Sequence, residues 1–205
     1  MDSRVQATIT SYNRIAPEYD RQNRRYFLWR EEYDLLKKRI QDKQVLEIGC
    51  GGGRDARVFL KDKFEYLGID ASKGLLKVAR KNNPSGTFRL MDLFDLRFPK
   101  QSYGAIWSMA TLLHVPKYRL PKVLRSIHAL LKPNGFFVVS IKQKRNLDQA
   151  VIHQDRYGGV DRFFAFYSNA EFLKVLKKAG FRVLKSWKRH DDGNIWLSYV
   201  TQAIN

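Results

Sequence analysis

Apolar residues recur along the chain in two alternating rhythms. Short, dense β-type runs occupy Val45–Ile48, Tyr66–Ile69, Thr87–Met91, Tyr103–Ser108 and Phe136–Ile141. Between and around them the spacing turns helical. Residues 25–41 set Phe27, Leu28, Leu35, Leu36 and Ile40 among charges. Asp55–Lys61 reads as a short helix. Ser72 is an N-cap for a helix through about Lys81, which Asn-Asn-Pro-Ser-Gly stops. Leu120–Leu131 is helical, and Pro133-Asn134-Gly135 is a turn into the strongly apolar run after it. Ser168 caps a helix to Ala179, with Gly180 at its end. Phe181–Trp187 and Ile195–Thr201 are two last strands, joined at Asp191-Asp192-Gly193-Asn194 as a hairpin.

Alternating strands and helices predict an α/β, doubly wound, mostly parallel sheet with helices on both faces. The short final connection forces an antiparallel C-terminal hairpin, giving seven strands in all. No repeat or low-complexity linker interrupts this, so residues 1–205 are expected to form a single domain. Within it, 1–44 are an N-terminal helical segment and 45–142 the sheet core. Residues 143–170 are an insertion, and 171–205 the last helix and hairpin. Ligands in such sheets bind beyond the carboxyl ends of the strands, where strand order reverses.

Composition narrows the picture. A length of 205 residues and 44% hydrophobic content suit one folded unit. No apolar run reaches the roughly 18 residues of a membrane span, and the N-terminus lacks a signal-peptide core. The one cysteine, Cys50, excludes an internal disulfide framework and a cysteine-built metal site. A reducing, cytoplasmic location is expected, and no metal. The net charge of +18 favours an anionic partner. It is spread, however, as +3 over residues 1–44, +9 over 45–140 and +6 over 141–205. A generally basic surface explains it as well as a nucleic-acid face does.

The sharpest local chemistry is Glu47-Ile48-Gly49-Cys50-Gly51-Gly52-Gly53-Arg54, between a strand and a helix. Glycine admits positive φ and close approach of a ligand to the backbone. The dinucleotide fingerprint G-x-G-x-x-G needs a third glycine at position 54, where Arg54 stands, so a ligand without pyrophosphate is indicated. Asp70 ends the second strand, where a carboxylate can accept from a ribose diol. Met91-Asp92-Leu93 follows the third strand, with Asp92 positioned for an adenine amine between apolar neighbours. Three such signals at the ends of successive strands outline one adenosine.

Residues 45–142 resemble the class I S-adenosylmethionine-dependent methyltransferases, in the branch that includes many small-molecule methyltransferases. Glu47-x-Gly49-x-Gly51-x-Gly53 resembles their first motif. Asp70, followed by Ala71, resembles the ribose-binding acid, and Met91-Asp92-Leu93 the adenine segment. Leu131-Lys132-Pro133-Asn134-Gly135-Phe136 resembles the turn into the fifth strand. Upstream, Tyr12-Asn13-Arg14-Ile15-Ala16-Pro17-Glu18-Tyr19-Asp20 is similar to the branch's N-terminal lid. Phe164–Ser168 and Leu176–Phe181 resemble the segments ahead of the terminal hairpin.

The resemblance implies S-adenosylmethionine as cofactor and S-adenosylhomocysteine as product. It implies cofactor contacts from Tyr12, Tyr19, Glu47, Gly49, Cys50, Gly51, Gly53, Asp70, Ala71, Met91, Asp92, Leu93 and Ser108. Glu47 would meet the ammonium of the methionine end, and the Tyr12 and Tyr19 faces the sulfonium. Helix packing explains the two tyrosines equally well.

Methyl transfer from a sulfonium needs alignment more than covalent help. If the nucleophile must lose a proton, His114 in the loop after the fourth strand is the candidate base, against a purely structural role there. That loop reads Ser108-Met109-Ala110-Thr111 and lacks the Asn/Asp-Pro-Pro-aromatic pattern of methyltransferases that act on base amines. Substrate selection is assigned to 1–44 and 143–170; the latter mixes Arg145, His153, Arg156, Tyr157, Arg162, Phe163, Phe164 and Tyr167. Gly158-Gly159 is a candidate hinge there. The expected partner is a small-molecule methyl acceptor, anionic or aromatic, bound at an O or N nucleophile by a monomer or dimer. The alternatives are an RNA (tRNA) methyltransferase, which the charge favours, and a cofactor-binding protein without catalysis.

Overall fold

The computed structural model describes residues 2–24, 27–191 and 193–204. Its elements in chain order are α1 (Ser3–Asn23), α2 (Arg30–Arg39), β1 (Gln44–Ile48), α3 (Ala56–Lys61), β2 (Glu65–Asp70), α4 (Lys73–Asn82), β3 (Thr87–Leu90) and β4 (Tyr103–Ser108). They continue with α5 (Leu120–Leu130), β5 (Leu131–Lys142), β6 (Gln149–Gln154), β7 (Val160–Ala165), α6 (Asn169–Lys178), β8 (Phe181–Asp191) and β9 (Asn194–Ala203).

Seven strands form one sheet in the order β3-β2-β1-β4-β5-β9-β8. All pairings through β5 are parallel, and β9 runs antiparallel to both β5 and β8. Strand order therefore reverses between β1 and β4. The expected doubly wound sheet with its terminal hairpin is present. Asp192, in the hairpin connection, and Arg25, at the start of the expected second helix, lie outside the described residues.

Successive side chains of a strand point to opposite faces, and here both faces are buried. Leu46, Ile106, Phe137, Val139 and Tyr199 pack with α5 and α6. Val45, Ala105, Trp107, Phe136, Val138 and Val200 pack with α2, α3 and α4. That explains strand sequences that are apolar without alternation. The caps hold as expected: the Ser72 side chain accepts from the Leu75 N–H. Ser168 and Glu171 form a reciprocal capping box at the start of α6.

Two features depart from the pattern reading. The Pro133-Asn134-Gly135 turn lies inside β5, where the pairing with β4 jumps from Tyr103↔Leu131 to Ala105↔Phe136. Asn134 has φ 60° there, so the turn is a bulge that lets one strand continue on both sides of it. Residues 143–170 carry a separate two-stranded sheet, β6 paired antiparallel to β7. The helix α1 is continuous with Pro17 inside it. Its side chains dock on both neighbours: Asn13 accepts from Ser72, the N-cap of α4, and from the Gly74 N–H, and Thr8 accepts from the Phe163 N–H on β7. So α1 lies between α4 and the small sheet, across the carboxyl ends of the central strands. Among the described residues no helix is long and apolar enough to cross a membrane. None of them forms a group of three or more His, Cys, Asp or Glu suited to a metal.

Candidate functional site

Between α1 and the ends of β1, β2 and β4 lies a cavity of about 1080 Å³, its open mouth included. Of the residues expected at the cofactor, Tyr12, Tyr19, Glu47, Gly49, Cys50, Gly51, Asp70, Ala71, Met91 and Leu93 line it, and so does His114.

The loop after β1 is wound tightly against its own neighbours. The N–H groups of Gly49 and Cys50 donate to the Ile69 carbonyl, at 2.8 and 3.0 Å. Gly51 N–H donates to Asp70 Oδ2 at 2.9 Å, and Gly53 N–H to the Cys50 carbonyl at 3.0 Å. These four N–H groups are spent inside the protein and are not offered to a phosphate, which agrees with Arg54 in place of a third fingerprint glycine. Gly49 has φ +75°, and an added Cβ would meet the Thr111 side chain at 2.2 Å. A Cβ on Gly51 would instead enter open space, with φ +52°. Glycine here keeps the cavity empty where a ligand must pass close to the backbone.

Acidic groups face the cavity from three sides. Asp70 uses Oδ2 on Gly51 and Oδ1 on the Ser72 N–H at 2.8 Å, so it ties the first loop to the start of α4. Burial pushes its carboxyl upward, against those two N–H groups. Glu47, 3% exposed, accepts a hydrogen bond from the Tyr66 hydroxyl at 2.5 Å. Burial, then the nearby Asp55, raise its carboxyl well above the ordinary range. Asp55 pairs with Arg54 and accepts from the Trp107 indole N–H at 2.9 Å. From α1, Asp20 accepts from Asn82 at 3.0 Å and closes the far side.

Over the other end stands a chain of hydrogen bonds. Arg162 Nη1 donates to the Tyr12 hydroxyl at 2.6 Å, and that hydroxyl lies 2.9 Å from His114 Nε2. His114 Nδ1 bonds the Phe163 carbonyl, which only accepts. The ring proton is therefore on Nδ1, and Nε2 accepts from Tyr12. Burial, with Arg162 and Lys142 nearby, drives the His114 imidazole down to about 3, so it is neutral. Tyr12 and Tyr19 meet edge to face at 5.2 Å beside it.

Three expected residues are not on the cavity wall. Asp92 Oδ1 accepts from the Phe94 N–H in its own turn. Ser108, fully buried, donates to the Ile48 carbonyl at 3.2 Å. Gly53 packs on α4, where a Cβ would strike Asn83 at 2.4 Å. Conversely, Asp20, Arg54, Asp55 and Thr111 line the cavity although none of them was expected as a cofactor contact. Asp55 is the most legible of them, as an acid directly after a glycine loop.

The fit to a sulfonium nucleoside is good. Acids suit the ammonium and diol, tyrosine faces suit the sulfonium, and Ile69, Met91 and Leu93 form an apolar slot.

A family model described as a methyltransferase domain matches residues 19–186. The chain is 26% identical over 145 residues to a demethylmenaquinone methyltransferase of Symbiobacterium thermophilum, covering 62% of this chain and 55% of that protein. A demethylmenaquinone methyltransferase of Thermotoga maritima is 31% identical over 136 residues, covering 62% of this chain and 58% of that protein. The chain thus spans little more than half the length of these two relatives. Among solved structures, Burkholderia thailandensis 1,6-didemethyltoxoflavin-N1-methyltransferase, with 1,6-didemethyltoxoflavin and S-adenosylhomocysteine bound, aligns with a TM-score of 0.74 at 18% identity. That alignment covers 98% of this chain and 89% of the other, a likeness of fold. Since the family model spans more than half of its length, the chain belongs to the methyltransferase-domain family, in its S-adenosylmethionine-dependent class I branch.

Proposed function

We propose that this chain transfers the methyl group of S-adenosylmethionine to an O or N nucleophile of a small molecule. The supporting observation is the roofed cavity: α1 covers the ends of β1, β2 and β4, and Tyr12, His114 and Arg162 close one end. A roofed site favours a small acceptor over a large one that would first have to extrude its reacting group. In this reading Asp70 holds the ribose diol while keeping Gly51 in place. Glu47 and Asp55 face the ammonium end, and Tyr12 and Tyr19 the sulfonium. The cofactor supplies a methyl group on positively charged sulfur, a good electrophile. The protein supplies alignment and a water-poor site. His114 Nε2 is a base only once Tyr12 leaves it, so positioning is the resting role of His114. The segments 1–44 and 143–170 act as the acceptor-side cover in this reading.

Incubation with methyl-labelled S-adenosylmethionine and cell extract, separated into metabolite, RNA and protein fractions, tests this. Label is expected in the metabolite fraction. Label confined to RNA would replace the small-molecule reading, and no label beyond background would indicate a cofactor-binding protein.

A further inference from the structure

Beside His114 stands a pair of cations that carry no acid. Arg162 is only 4% exposed. Its guanidinium lies 4.9 Å from the Tyr12 ring, 4.9 Å from Tyr157, 5.6 Å from Tyr19 and 5.6 Å from Phe164. Its Nε is buried without a hydrogen-bond partner. Lys142, at the end of β5, places its ammonium 4.5 Å from the Phe164 ring and 5.4 Å from Trp196. Among the described residues neither cation has a carboxylate partner. Burial, then Arg162 and Arg156, bring the Lys142 ammonium down to about 8.

The Phe164 ring joins these groups to the cofactor cavity, since it also packs on His114 at 4.9 Å. On the far side, Phe166 stacks on Phe164 at 6.1 Å and 18°. Beyond it opens a second cavity of about 620 Å³, its open side included, lined by Lys142, Arg145, Leu147, Phe166 and Ile195 among others. No acid is among its described lining residues. A cluster of cationic and aromatic side chains therefore separates the cofactor cavity from an open pocket, with Arg162 and Phe164 buried inside it and Lys142 on the pocket wall.

Burying a charge without a counter-charge is unfavourable, and cation–π contacts offset part of that cost without neutralising the charge. A guanidinium kept this way is suited to a ligand that brings the negative charge itself. We propose that Arg162 and Lys142, with the Phe164 ring between them, form the recognition wall for the methyl acceptor, and that the acceptor is a planar organic anion such as an aromatic carboxylate, phenolate or enolate. This rests on the small-molecule reading above and sharpens it. The same wall repels a protonated amine. An anionic acceptor also needs no base: its lone pair forms the bond to the methyl carbon as the carbon–sulfur bond breaks onto sulfur. The two opposite charges cancel, and no proton is left over.

The test is binding of 1-hydroxy-2-naphthoate against its carboxamide, the same shape without the charge, measured by calorimetry with and without saturating S-adenosylhomocysteine. The carboxylate is expected to bind at least tenfold more tightly than the amide. Lys142→Gln, at a half-buried position off the cofactor cavity, is expected to cut that preference at least threefold with S-adenosylhomocysteine affinity unchanged. Arg162→Gln is expected to abolish it, and Arg162→Lys, which keeps the charge if the larger change unfolds the protein, to retain part of it. Equal binding of the pair, binding of neither, or a preference that survives both Lys142→Gln and Arg162→Gln overturns the proposal. Failure of S-adenosylhomocysteine to bind overturns the methyltransferase reading instead, while the charge preference is still read from the arm without it.

Discussion

The hydroxyl of Tyr12 is a single atom group on which two buried partners depend. Tyr12→Phe leaves the ring and its contact with Tyr19 in place and removes only that oxygen. Arg162 Nη1 then loses its acceptor at 2.6 Å, and His114 Nε2 its donor at 2.9 Å. A hydrogen bond to a charged group contributes about 1.5–3 kcal/mol, and an orphaned buried acceptor costs about 1–3 kcal/mol. Partial relaxation of Arg162 against its four rings reduces the sum, so a loss of about 3 kcal/mol is expected. For a domain of this size that corresponds to a fall of about 6–12 °C in Tm. Urea unfolding followed by circular dichroism reads the change, with S-adenosylhomocysteine added in a parallel series. The control is Tyr19→Phe, because the Tyr19 hydroxyl has no hydrogen bond among the described residues; it is expected to stay within about 0.5 kcal/mol of the parent. Equal effects of the two substitutions, or a Tyr12→Phe loss below that threshold, would refute the hydrogen-bonded chain from Arg162 to Phe163.

Other consequences are as concrete. Gly49→Ala forces a Cβ into Thr111 at φ +75°, so S-adenosylhomocysteine affinity should drop more than tenfold; an unchanged Kd would show that the loop is free to move. His114 is held neutral in the fold, down to about 3, while the unfolded chain takes a proton near 6.5. Stability from this group is therefore complete above pH 6.5 and lost as pH falls, by about 1.4 kcal/mol per pH unit. His114→Gln should flatten the parent's urea-midpoint profile between pH 7 and 5, and parallel profiles would contradict the assignment. Ser168→Ala dissolves the capping box and should destabilise by about 1 kcal/mol in the same assay, with no effect on cofactor affinity.

The sheet was legible because a strand covered on both faces is mostly apolar: Val45–Ile48, apart from Glu47, and Phe136–Ile141, apart from Ser140, stand out for that reason. The bulge at Pro133-Asn134-Gly135 was not, since a turn sequence looks the same whether the chain reverses or continues. Pro17 hides the length of α1, because a proline reads as a helix break and only the tertiary contacts of Asn13 and Thr8 show why it is tolerated. The small sheet of β6 and β7 is obscured by its exposed, alternating polar face. At the site, glycines and Asp70 announce themselves by position after a strand. Asp92 is not on the cavity wall, and one of its carboxylate oxygens is held by the Phe94 N–H in its own turn. Arg162 was visible only as one arginine in a mixed segment. Its lack of an acid partner among the described residues is a property of the folded state, created when α1, β7 and Tyr157 converge on it.

The most direct measurement is a calorimetric titration of S-adenosylhomocysteine into the parent protein and into Asp70→Ala. Asp70 anchors Gly51 and Ser72 at once, so its loss removes both the ribose acceptor and the shape of the glycine loop. Stoichiometric binding to the parent, weakened at least tenfold in a variant whose circular dichroism is unchanged, is the expected result. No heat with the folded parent, or the same affinity in both proteins, would contradict it.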